Sequence, residues 1–201
     1  SFAPTDWPWW RGPDRNGHAA PDQKPPLSWS DTENVVWKVP VPGRGHSSPT
    51  LVGDQIFLAT ADLEKSTQSV LCYSRKRGEL AWRTDVHRGG LEEKGNGKTT
   101  LASSTVACDG ERLFINFLND GAVYTTALSR DGKQLWQTRV TDFLVHQGFG
   151  SSPAIYESLV IVTADSKGNG AIAALDRGTG ELVWKQERPK VPNYTSPIIL
   201  T

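Results

Sequence analysis

The sequence contains no methionine, only two cysteines and no surplus of either charge, with 22 lysines and arginines against 22 aspartates and glutamates in 201 residues. Zero net charge argues against a general nucleic-acid binder, which needs excess cation to displace the counterions condensed on phosphate. It gives no reason to expect an acidic membrane surface as partner either. No apolar run is long enough to span a bilayer. The opening Ser1-Phe2-Ala3-Pro4 lacks the basic and apolar regions of a secretion signal. With no initiator methionine, the expectation is a removed leader or a fragment of a longer chain. Cys72 and Cys108 have no Cys-x-x-Cys or histidine partner. They are expected as buried free thiols ahead of a disulfide, and a metal site is set aside.

What is present is turn-forming and aromatic. Nineteen glycines and thirteen prolines suit a turn-rich all-β protein rather than a disordered one. The best-formed stretch runs Ala174-Leu175-Asp176-Arg177-Gly178-Thr179-Gly180-Glu181-Leu182-Val183-Trp184. It reads as a strand, a tight turn capped by Asp176 with glycines free to take positive φ, and a strand closing on tryptophan. Weaker copies begin at Cys72 and Ala127 and end at Trp82 and Trp136.

A second signal alternates with the first. Ser47-Ser48-Pro49 leads into a strand, a Gly53-Asp54 turn and a second strand; the pattern returns at Ser103-Ser104-Thr105-Val106 and Ser151-Ser152-Pro153, and starts again at Thr195-Ser196-Pro197. Together the signals give four short antiparallel strands per repeat. Trp37, Trp82, Trp136 and Trp184 mark a period of about 45–55 residues, that of a propeller blade. The predicted fold is an all-β partial β-propeller of three full blades with terminal strands. Its repeats span 37–82, 82–136 and 136–184, with an incomplete fourth over 185–201. Residues 88–98 form a polar, glycine-rich insertion. The β-branched segment 35–41 is expected as an outer strand. Residues 1–33, with Asp6-Trp7-Pro8-Trp9-Trp10-Arg11-Gly12-Pro13, are expected as an extended arm laying aromatic rings over the domain surface.

The 174–184 stretch resembles the Ala-x-Asp-x-x-Thr-Gly-x-x-x-Trp motif of the pyrroloquinoline-quinone (PQQ) enzyme-like repeat. Its motif residues are Ala174, Asp176, Thr179, Gly180 and Trp184. With the opening Asp-Trp-Pro-x-Trp-Arg-Gly-Pro pattern and Pro42-Gly43-Arg44-Gly45-His46-Ser47-Ser48-Pro49, the chain is similar to bacterial, planctomycete-type members of that propeller family. The resemblance implies an eight-bladed ring with neighbouring blades locked through Trp82, Trp136 and Trp184. It also implies an extracytoplasmic, periplasmic-type location. Because three blades do not close a ring, the chain is expected to be the N-terminal part of a longer protein, or else to form a homo-dimer that completes the propeller. If buried, Trp184 is expected to contribute about 3–5 kcal/mol.

Propeller ligands meet the loops that open onto the central channel. Here those loops precede each Ser-Ser-Pro element and carry Arg44 and His46, then Lys98 and Thr99, then His146, Gln147 and Phe149, and finally Asn193 and Tyr194. Arg44 suits bidentate pairing with a carboxylate or phosphate. His46 and His146 have the chemistry of acid/base groups or metal ligands, weighed against loop histidines hydrogen-bonded to backbone. Asp62 and Asp165, in the repeated Thr-Ala-Asp, are expected to cap turns rather than chelate calcium. The Ser-Ser-Pro serines lack a His-Asp partnership and are not read as nucleophiles. Gly168-Asn169-Gly170 reads as a hairpin turn.

Two functions follow from the resemblance. The first is a non-catalytic binding or scaffold module for a protein or small ligand, with no cofactor and no catalytic or metal-binding residues. The second is a PQQ-dependent dehydrogenase for an alcohol or sugar, with calcium or a lanthanide beside the quinone, an aspartate base and often a disulfide of adjacent cysteines. This chain has no adjacent cysteines.

Overall fold

The computed structural model describes residues 2–92 and 97–200, so the middle of the 88–98 insertion lies outside the described residues. Twelve strands form among them. The first sheet comprises β1 (Thr50–Val52), β2 (Gln55–Asp62), β3 (Thr67–Ser74) and β4 (Leu80–Arg88). β5 (Ala107–Cys108), β6 (Arg112–Asn119), β7 (Ala122–Ser129) and β8 (Gln134–Asp142) form the second. β9 (Ala154–Tyr156), β10 (Leu159–Ala164), β11 (Ala171–Asp176) and β12 (Leu182–Glu187) form the third. Each sheet is an antiparallel meander in chain order, which makes three consecutive propeller blades.

The core lies between the blades. Phe57, Val70 and Cys72 of the first blade pack on Leu113, Ile115 and Phe117 of the second. Phe114 and Val123 of the second blade pack on Val160, Val162 and Leu175 of the third. Residues along β6 thus alternate between the two neighbours, as period-2 side chains must. The middle blade is covered on both faces, so β6 is buried almost throughout, whereas every residue of β12 is exposed.

The repeat motif makes the blade-to-blade lock. In every hairpin the register shifts at the same place, after Cys72, Ala127 or Ala174, and the tryptophan pairs with that small residue. Trp82 Nε1 donates to the Arg130 carbonyl at 3.1 Å, and Trp136 Nε1 to the Arg177 carbonyl at 3.2 Å, each in the turn of the next blade. Two residues on, Thr84 and Thr138 donate their hydroxyls to the carbonyls of Gly132 and Gly180, both at 2.6 Å. Gly180 has φ 77°, and a Cβ there would stand 2.6 Å from the Trp136 ring. The turn needs glycine's backbone and the tryptophan needs its missing side chain. Asp176 holds the same turn by accepting from the Gly178 and Thr179 amides at 2.9 and 2.8 Å. The Thr179 amide, then that of Gly178, lowers the carboxyl's pKa below its ordinary value.

Three expectations need correction. Residues 35–41 form no strand, because no neighbouring strand offers them a ladder. Trp37 nevertheless docks like the other tryptophans, with Nε1 2.9 Å from the Arg75 carbonyl and its ring over Gly78. Trp184 is not buried: no following turn covers it among the described residues, and 42% of its surface is exposed. Asp165 caps no turn but pairs with Arg188 through both its oxygens, at 3.0 and 3.2 Å. Its counterpart Asp62 does cap, accepting from the Lys65 amide at 3.1 Å.

The arm lies across the free edges of the innermost strands. Trp7 exchanges backbone hydrogen bonds with Leu51, Pro8 accepts from the Cys108 amide, and Arg15 donates to the Ile155 carbonyl at 2.7 Å. Asp6, buried, accepts from the Gly53 amide at 2.9 Å. The Arg15 guanidinium covers the Trp9 ring, whose other neighbour is the edge of Phe2. Edge groups that would otherwise stand open are thereby paired. Farther along, Leu27 and Trp29 are exposed, so not every aromatic of the arm lies on the domain.

His87 on β4 packs against the rings of Phe117 and Tyr124 in the second blade, and its Nε2 is buried without a hydrogen-bond partner. Burial lowers its pKa from 6.5 to about 4. Between those values the unfolded chain takes up a proton that the folded chain does not, so stability falls as pH drops from 6.5 towards 4. The loss is on the order of 2 kcal/mol after allowance for partial exposure. Urea melts across that window should show the loss, and His87→Leu should flatten it. On the 201-residue chain, Trp136→Ala should cost about 2–4 kcal/mol and Trp184→Ala less than about 1 kcal/mol. Equal losses in denaturant titrations would contradict the lock.

Candidate functional site

The Ser-Ser-Pro elements precede the inner strands, where a second blade-to-blade chain of hydrogen bonds runs. The Ser48 amide donates to Thr105 Oγ1 at 3.0 Å, the Thr105 amide to Ser152 Oγ at 2.9 Å and the Ser152 amide to Ser196 Oγ at 2.8 Å. The hydroxyls of Thr105, Ser152 and Ser196 thus bind neighbouring blades together. The relay draws the loops before each element to one end of the blades. The arm runs along the inner strand edges, from the β1–β2 turn at Gly53 to a small hollow that Trp9, Trp10 and Arg15 line together with Ser152 and Ser196 of the relay.

Neighbouring loops interlock at this mouth. The His46 amide donates to the Ala102 carbonyl at 3.0 Å, and Arg44 bridges Ala61 through its backbone. A Cβ on Gly148 would press on Thr99 at 3.2 Å. Below them, Gln68 of β3 donates to the carbonyls of Leu101 and Leu118, and Asn119 donates to Gln68 and to Gly89. Asn116 donates to the Ser151 carbonyl and accepts from Thr125. This buried polar network fixes the floor of the mouth.

A hollow of about 700 Å³ opens there, with Arg44 and Glu92 on its walls beside Ser103, Ser104, Asn116 and Phe117. A smaller hollow of about 200 Å³ shares Thr99, Ser103, Gly148 and Phe149 with it and adds Gln147 and Tyr194. The mouth is therefore one connected depression, apolar in part and rich in hydroxyl groups.

Of the predicted ligand residues, Arg44 lines the larger hollow, and Gln147 and Tyr194 line the smaller. His146 is brought to Tyr194, Nδ1 to hydroxyl 2.8 Å, across a sequence gap that gave no hint of the pairing. His46 contributes its main-chain amide, which donates to the Ala102 carbonyl. Asn193 accepts from the amide and hydroxyl of Thr195 and so orders its own loop. Lys98 sits exposed on a turn at the end of the insertion. The sequence reading missed Gln68, Asn116 and Asn119. Polar residues inside otherwise apolar strands were the available signal.

Both cysteines are free and buried, and burial raises each thiol to about 11, which leaves them unreactive at neutral pH. Among the described residues no three His, Cys, Asp or Glu side chains come together as a metal-holding group. With the cysteines in separate blades, these residues do not supply the donor set that a PQQ–calcium centre requires, and no step through such a group is derived.

The sequence of the family described as "Outer membrane protein assembly factor BamB" matches residues 20–123 and 66–199. Polyvinylalcohol dehydrogenase of Sphingopyxis sp. (strain 113P3) is 27% identical over 204 residues, covering 92% of this chain and 28% of that protein. The enzyme of the same name from Pseudomonas sp is 25% identical over 199 residues, covering 90% and 29%. The chain thus spans less than a third of the length of these curated relatives. Among solved structures, a europium-containing methanol dehydrogenase superposes with TM-score 0.51 at 17% identity, covering 72% of this chain and 25% of that one, a likeness of fold. With three matching blades and a family match over most of its length, this chain belongs to the PQQ-like repeat family described as outer membrane protein assembly factor BamB.

Proposed function

We propose that the chain is part of an extracytoplasmic PQQ-like propeller that works as a non-catalytic binding or scaffold module, taking a protein or a small ligand at the mouth. The observation that carries this reading is the gathering of the loops at one end of the blades. One end gathers the loops before every Ser-Ser-Pro element around a connected depression. The arm covers the inner strand edges. Recognition from one side suits loops held on a rigid scaffold, and fold alone does not choose the chemistry. The His146–Tyr194 pair, Gln147 and Arg44 are the groups proposed to meet the ligand.

A second reading, a PQQ-dependent alcohol dehydrogenase, is favoured by the name shared by the two curated relatives. Its cofactor-holding residues would have to come from outside the residues described here.

The test places a photo-reactive residue at Gln147 on the mouth or at Leu135 on the outer strand of the second blade, in cells making the full protein. The expected outcome is a discrete adduct from position 147 and none from 135. Absence of an adduct at 147, or alcohol-dependent dye reduction that requires added PQQ and calcium, would overturn the module reading.

A further inference from the structure

We infer that Asn169 is a site of covalent self-modification, where the side-chain amide becomes a carboxylate through a succinimide formed with Gly170. The inference is independent of the binding-module reading.

The sequence offers this reaction in three places, Asn16-Gly17, Asn96-Gly97 and Asn169-Gly170. In each, the glycine nitrogen can attack the asparagine Cγ, because no Cβ on the following residue stands in its way. A new N–C bond closes the ring, the bond from Cγ to the side-chain nitrogen breaks, and ammonia leaves. Water then opens the ring at either carbonyl, giving aspartate or isoaspartate. Water is the only co-reactant. Asn96 lies outside the described residues, so the structure chooses between the other two.

At Asn16-Gly17 both reacting groups are engaged. The Gly17 amide donates to the Arg11 carbonyl at 2.9 Å, and Asn16 Oδ1 accepts from the His18 amide at 2.8 Å. The first bond must break before the nitrogen attacks, and the second holds the carboxamide in its own turn. At Asn169-Gly170 neither group is held. Among the described residues the Gly170 amide has no hydrogen-bond partner, and the Asn169 carboxamide is exposed with none either. Asn169 contributes only its main-chain carbonyl, which accepts from Thr141 Oγ1 at 2.8 Å. Gly168 stands on its other side, so no neighbouring side chain hinders the ring closure.

The surroundings favour the reaction as well. A hollow of about 430 Å³ lies between the ends of β8 and β12, and Gly168, Asn169 and Gly170 line it. Gly170 is otherwise buried, and this hollow is its opening to solvent. Arg139, Lys185, Arg188 and Lys190 line it against Asp142 and Glu187. Cations still outnumber carboxylates when Asp165, the partner of Arg188, is included. That excess favours the anion formed as the glycine nitrogen loses its proton, and afterwards the new carboxylate.

The modification has a structural consequence. Isoaspartate puts one more methylene into the main chain of the turn. The carbonyl that takes the Thr141 hydroxyl is then displaced, and a tie between the second and third blades is lost.

Peptide mapping by mass spectrometry, on the full protein incubated folded at neutral and mildly alkaline pH, tests the site. The acid form should accumulate at residue 169 at least about tenfold faster than at residue 16, the factor that one hydrogen bond supplies. Conversion should quicken as pH rises, because the attacking nitrogen must shed its proton. In denaturant the two sites should react at similar rates. An isoaspartate-specific methyl transfer should label the peptide holding residue 169, and Asn169→Gln should remove that label. Equal rates at 16 and 169 in the folded protein, no conversion at 169, or a difference that persists in denaturant would overturn the site.

Discussion

The structure depends on one contact repeated around the blades: an indole ring laid over a glycine in the next turn. It joins a large apolar surface to a backbone position with positive φ, and it fixes the tryptophan N–H on a turn carbonyl. Each feature has its own requirement, and the requirements meet in few residues. The turn needs glycine at Gly132 and Gly180 because a Cβ would strike the ring of Trp82 or Trp136. The strand opposite the tryptophan carries Cys72, Ala127 or Ala174 at the point where the register shifts. Threonine two residues after the tryptophan adds a second bond to the same turn. The motif is thus a description of an interface between blades rather than of a single blade.

That interface gives the chain direction. The turn of the first blade is covered by Trp37 from the chain's own upstream segment, whereas Trp184 of the third blade has no following turn to cover among the described residues. A second direction runs along the channel. The Ser48–Thr105–Ser152–Ser196 relay holds the inner strand starts together at the mouth, and the arm pairs the inner edges of the same strands. The buried network of Gln68, Asn116 and Asn119 then sets the depth of the depression between the loops. The depression lies where the repeats differ, since Asn116 stands on its wall at the place of Ala59 and Thr163 in the neighbouring blades.

Much of the fold was legible because its signals are local. Four strands per repeat, the turn at 176–180 and the thiol state of Cys72 and Cys108 follow from residues adjacent in sequence. The strand expected over 35–41 failed for a non-local reason, since a β-branched run becomes a strand only beside a partner. The burial expected of Trp184 failed in the same way. The site was less legible than the fold. Arg44, Gln147 and Tyr194 were identified from their position before each Ser-Ser-Pro, yet Asn193 turned out to order its own loop. The His146–Tyr194 pair joins residues 48 apart, and no local pattern announces such a contact.

By itself the sequence determined the repeat, the all-β class, the hairpin turns and the family, because each rests on spacing and on the backbone demands of glycine, proline and aspartate. The tertiary structure alone decided which tryptophans are covered, which aspartate caps and which pairs, which serine keeps an unpaired hydroxyl, and that the arm lies along the inner strand edges. Those outcomes turn on which neighbour a side chain meets across a blade boundary. That choice is made by packing between segments some 50 residues apart, where chain order carries no distance information.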